Sequence, residues 1–117
     1  MSIDNVISAL DRESDVSESY VLIREIKAFL DVEGFSPLIR IKIYQSSVHP
    51  DFPYHFDLSH YVHTPVQAAP YYPSRTMFET ETVAISQAIR ALTSFMESAI
   101  SAGHEPSEDW LVPNEEF

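Results

Sequence analysis

Cysteine is absent from this chain, glycine occurs only twice, and seven basic residues stand against eighteen acids. Each shortage removes a class of function. Without cysteine there is no disulfide framework and no thiolate chemistry, although either redox compartment remains open. Two isolated glycines, Gly34 and Gly103, cannot build a glycine-rich loop that cradles phosphate. No apolar run approaches the roughly 20 residues of a membrane-spanning helix, and Met1-Ser2-Ile3-Asp4-Asn5 carries neither the basic nor the apolar segment of a secretory signal. A soluble cytoplasmic protein with no membrane contact is therefore the expectation. A net charge of −11 also repels nucleic acid and anionic lipid before any local contact forms.

What is present suits a small folded unit. The 117 residues are 44% apolar and 12% aromatic, enough to bury a core, and their number predicts a single domain over 1–117. Charge is unevenly spread. Residues 1–33 hold eight acids against Arg12, Arg24 and Lys27, and residues 79–117 hold eight acids against Arg90 alone. Between them, Arg40, Lys42 and Arg75 outnumber Asp51 and Asp57, and four of the five histidines fall in this middle third. An acidic surface complementary to a weakly basic one points to self-association or a protein partner.

The hydrophobic pattern divides the chain. Ile3, Val6, Ile7 and Leu10 are spaced as in a short amphipathic helix within residues 1–13, a segment prone to fray. Leu22, Ile23, Ile26, Phe29 and Leu30 form a helical stripe capped by Ser14 or Ser17, with Gly34 as the glycine just past its end. From Pro37 the period becomes two, with Ile39, Ile41 and Ile43 on one face and Leu38, Arg40, Lys42 and Tyr44 on the other. Residues 54–63 alternate as well: Phe56, Leu58 and Val62 share one side, and His55, Asp57, Ser59, Tyr61 and His63 the other. Joining the apolar sides in an antiparallel hairpin centred near His49 and Pro50 puts Lys42 opposite Asp57, Tyr44 near His55, and Arg40 near Ser59. A brief third strand is expected within 72–79. A long helix follows, capped by Thr80 or Thr82, carrying Val83, Ile85, Ala88, Ile89, Leu92, Phe95 and Met96 on one stripe, and closed by Gly103. Residues 104–117 read as an acidic tail with Trp110, Leu111 and Phe117 as anchors. The expected fold is α+β: a two-layer sandwich with an antiparallel sheet of about three strands, helices on one face, and the order α-α-β-β-β-α.

The open sheet face carries the chemistry. Arg40, Lys42, Tyr44, His55, Asp57, Tyr61 and His63 form an aromatic, titratable surface suited to an interaction module, such as a homodimer interface. Protonation of His55 and His63 near the usual value of about 6.5 is expected to alter that association. The alternative is a metal-binding protein or metal-dependent enzyme built on His55 and Asp57, two apart on one face. His63 is excluded from that pair, because at about 3.3 Å per residue it lies roughly 26 Å from His55 along one strand. A second alternative is a nucleic-acid platform on the same face, against which the net charge weighs. Asp57, Ser59 and His60 have the residue types of a catalytic triad, but strict alternation sends His60 to the opposite face and denies it a bond to Ser59. No catalytic residue and no cofactor are expected.

Overall fold

The structure, a computed structural model, describes residues 3–117, so Ser2 of the expected first helix lies outside the described residues. The fold is α+β, with a mostly antiparallel sheet and two helices packed on it. Helix α1 spans Ile3–Asp11 and contacts the first strand. Strands β1 (Tyr20–Phe29), β2 (Leu38–Ser46), β3 (Tyr54–Leu58) and β5 (Met77–Phe78) form one antiparallel sheet in the order β1-β2-β3-β5. Strands β4 (His60–Val62) and β6 (Leu111–Pro113) pair separately, and helix α2 runs over Glu81–Ser101. Six strands thus replace the expected three, and the order is α-β-β-β-β-β-α-β.

The largest departure is residues 14–33, expected as a helix and observed as β1. The cause is a β-bulge: Leu22 pairs with Tyr44 and Arg24 with Ile43, leaving Ile23 as the extra residue. Above the bulge Val21 and Ile23 are the half-buried positions; below it the parity changes to Ile26, Ala28 and Leu30. A two-residue alternation broken by one insertion produces spacings of three and four, which mimic a helical stripe. Gly34 accordingly closes a hairpin, not a helix. Glu33 and Gly34 have φ of +52° and +92°, the left-handed pair that a two-residue hairpin loop requires. Val32 and Phe35 bracket them by exchanging backbone hydrogen bonds of 2.9 and 3.0 Å.

Between β2 and β3 the register is the expected one, with Lys42 opposite Asp57 and Tyr44 opposite His55. Arg40 donates its N–H to Ser59 Oγ at 2.8 Å and accepts from Ser59 N at 3.0 Å. The strand expected to run through 54–63 stops at Leu58, and the chain turns at Ser59 into β4. Thr80 caps α2, its Oγ1 accepting from Val83 N at 3.1 Å, and Gly103 follows the last turn at φ +93°.

The core lies between α2 and the inner sheet face. Ile39, Ile41, Ile43, Phe56 and Leu58 meet Ala84, Ala88, Leu92, Met96 and Ala99, all buried. Alanines along this helix face let it approach the sheet closely, which compensates for the bulk of three isoleucines. The tail is part of the fold. Trp110 is 5% exposed and lies 6.0 Å, edge on, from Phe35, and its carbonyl accepts from His63 N at 2.8 Å.

Candidate interaction surface

The outer face of the main sheet presents cross-strand rows. Leu22, Tyr44, His55 and Met77 make one; Glu25, Lys42 and Asp57 the next; then Lys27 beside Arg40, and Phe29 beside Leu38. Tyr44 and His55 have ring centroids 6.1 Å apart, and Tyr20 reaches the same histidine edge on at 6.4 Å. Burial raises the Tyr44 phenol, with the negative charges of Asp57 and Glu25 adding to it, so Tyr44 remains a neutral donor at physiological pH.

His55 and Asp57 are turned on each other, Nε2 to Oδ1 at 3.3 Å, while His55 Nδ1 meets Thr76 Oγ1 at 2.9 Å. Both ring nitrogens are therefore engaged. Among the described residues no group of three or more His, Cys, Asp or Glu side chains is placed to hold a metal ion. Lys42, expected to pair with Asp57, instead crosses to the tail: Nζ donates to the Phe117 carbonyl at 2.9 Å and sits 4.1 Å from that ring's centre. One ammonium there gains both a carbonyl acceptor and an aromatic face.

The corner at Ser59 removes Tyr61 and His63 from the row they were expected to share with His55. Tyr61 packs on Tyr72 instead, centroids 4.7 Å apart, and its phenol is raised by burial first, then by Asp57 and Glu116. His63 Nε2 lies 3.2 Å from the Gln67 carbonyl, within a loop that Gln67 closes by accepting from Thr64 N and Oγ1.

The same corner overturns the expectation for His60. Alternation ends at Leu58, so Ser59 Oγ meets His60 Nδ1 at 2.8 Å. Burial lowers the His60 pKa while nearby Glu108 opposes the shift, which favours the neutral ring at this bond. Ser59 Oγ also accepts from Arg40 N at 2.8 Å. Bonded to both the His60 ring and the Arg40 N–H, this serine fastens the corner of β3 and β4 to β2.

The feature that sequence reasoning missed is the free edge. β1 pairs with β2 on one side only, and on it Phe29 is 69%, Tyr20 49% and Leu22 47% exposed. The signal for this hairpin was Glu33-Gly34 between Val32 and Phe35. Arg24, on the bulge, binds Glu81 at the start of α2; that hydrogen bond, then the charge of Glu81, raises its pKa. Among the described residues no helix is long and apolar enough to cross a membrane. No family model, curated protein or solved structure matches the chain.

Proposed function

We propose that this domain is a protein-interaction module that self-associates, β1 of one copy pairing antiparallel with β1 of a second. One observation carries the reading: the bulge makes the strand self-complementary. Full overlap of this ten-residue strand with its own copy sets Tyr20 opposite Phe29, Val21 opposite Ala28, Leu22 opposite Lys27, Ile23 opposite Ile26 and Arg24 opposite Glu25. In a regular strand those pairs would join odd to even positions and so place outer residues against inner ones. The inserted residue shifts the parity, and outer residues Tyr20 and Leu22 then meet outer residues Phe29 and Lys27. The two-fold axis falls between Arg24 and Glu25 and puts an aromatic pair at each end; at the axis itself Arg24, opposite Ile43, lies on the inner face and Glu25, opposite Lys42, on the outer one.

The backbone supports this edge. Arg40 directs both its N–H and its C=O to Ser59, so its β1 partner Lys27 points its own away from β2. Ser46 N likewise bonds Pro53 O, which leaves Tyr20 opposite it facing the free edge. The metal and nucleic-acid readings have less support: His55 already has partners on both nitrogens, and Lys42 and Tyr61 no longer share one open platform.

The test is light scattering coupled to gel filtration on the intact chain, on Leu22→Lys and on Leu22→Glu. Leu22→Lys sets a like charge opposite Lys27 of the second copy and should run as a monomer, whereas Leu22→Glu sets an opposite charge there and should run as a dimer. Leu22 is half exposed on the outer face, so either charge changes the folding of the monomer little. A monomeric parent, a Leu22→Lys chain that dimerises as well as the parent, or a Leu22→Glu chain as monomeric as Leu22→Lys would refute the proposal.

A further inference from the structure

We infer that the cleft between α2 and the loop before β5 binds a small organic anion with a flat apolar body. This site lies by β3 and β5, away from the β1 edge, and does not depend on self-association. The cleft has a volume of about 350 Å³, within the span usual for small-molecule sites. Phe56, Tyr71 and Phe95 supply apolar walls, while Arg75, Gln87 and Arg90 supply polar groups. Tyr71 and Phe95 lie with ring centroids 5.3 Å apart at 56°, an angled pair of aromatic walls.

The polar side is unusual for a chain with a net charge of −11. Arg90 is the sole base of residues 79–117, which hold eight acids, yet it lines this cleft beside a second arginine. Among the described residues its guanidinium forms no hydrogen bond and no ion pair, nor does the Gln87 amide. Arg75 is held in place: Nε donates to the Met77 carbonyl at 3.0 Å, Nη2 pairs with Glu79 at 3.2 Å, and its plane lies over Phe78 and Phe52 at 4.7 and 5.0 Å. One fixed guanidinium and one unpartnered guanidinium above aromatic walls match a carboxylate or sulfonate joined to a ring system. Charge-assisted bonds would fix the head, and burial of the ring would supply the rest. Inorganic phosphate offers only the first of these.

The experiment is an amide-resolved NMR titration of the intact chain with 2-naphthoate, 2-naphthalenemethanol and inorganic phosphate, repeated on Arg90→Gln. Saturable shifts centred on Tyr71, Arg75, Gln87, Arg90 and Phe95 are expected for naphthoate. The neutral alcohol and the Arg90→Gln variant should each weaken binding by about tenfold, and phosphate should not saturate. Arg90 is an exposed helix position, and the acid–alcohol comparison on the unaltered chain stands even if the variant misfolds. Equal affinity for acid and alcohol, unchanged binding by Arg90→Gln, saturable phosphate binding, or no response to naphthoate at this cleft would each overturn the inference.

Discussion

Replacing Lys27 by proline separates the free edge of β1 from its paired edge. Arg40 spends its backbone groups on Ser59, so the Lys27 N–H has no bond within the domain to lose. Proline is tolerated at such an edge position, whereas in a paired position it removes a ladder bond. Ile26 sits in the paired phase: it lies opposite Ile41, and Leu30, four residues on, donates to the Pro37 carbonyl at 2.9 Å. Ile26→Pro should therefore destabilise the monomer by about 3 kcal/mol or more, and Lys27→Pro by under ~1 kcal/mol. In the proposed dimer the order reverses. Lys27 and Leu22 of the second copy exchange bonds, and symmetry repeats the exchange, so Lys27→Pro removes two. At about 1 kcal/mol net each, dissociation strengthens roughly 30-fold before the ring's steric clash is added. Urea unfolding followed by circular dichroism reads the first quantity, and sedimentation equilibrium the second. A Lys27→Pro chain that keeps its fold and still dimerises with the parent's affinity would refute the edge-pairing argument.

Three other outcomes follow. Trp110→Ala should cost about 3–5 kcal/mol, because the indole is buried against Phe35; a loss below ~1 kcal/mol in urea unfolding would show that the tail does not dock. Burial holds His60 below its ordinary value, so the unfolded chain takes up that proton first. Stability present above about pH 6.5 should then decline as pH falls through that value and level off below the folded pKa. His60→Asn should remove that part of the slope, and an identical slope in both chains would be the contrary result. Finally, two copies of net charge −11 repel one another, so moderate salt should tighten the dimer by screening; sedimentation showing weaker association at higher salt would mean that attraction between local charges outweighs that repulsion.

The parts of the fold legible in the sequence are those where one pattern runs unbroken. Ile39, Ile41 and Ile43 alternate without interruption, and with Phe56 and Leu58 they leave one parity for the β2–β3 hairpin, the one observed. The last helix announced itself by its stripe, by Thr80 and by Gly103. What stayed hidden involves single-residue irregularities or distant pairings. The turn at Ser59 ends alternation without a proline or glycine to mark it, which moved Tyr61 and His63 away from His55 and brought His60 to Ser59. β6 is three residues long, too short to show a period, and its partner β4 lies some fifty residues earlier in the chain. That Arg75 and Arg90 line one cleft depends on how the loop before β5 lies against α2, which no local pattern encodes.

The bulge at Ile23 both concealed β1 and gave its edge a specific geometry. A bulge usually protects an edge strand by twisting it away from a second chain, and a lysine on that edge adds to the protection. Here three other free-edge positions work the other way, since Tyr20, Leu22 and Phe29 are apolar and exposed, and no proline interrupts Tyr20–Phe29. A bulge also makes an edge selective. A regular foreign strand laid along β1 can match the face parity on one side of Ile23 and must violate it on the other. A strand with the same insertion at the same distance from the axis matches along both arms and departs only at the two residues between the insertions, and a second copy of this chain meets that condition by symmetry. Discrimination then arises from the mismatch imposed on other strands as much as from attraction between copies.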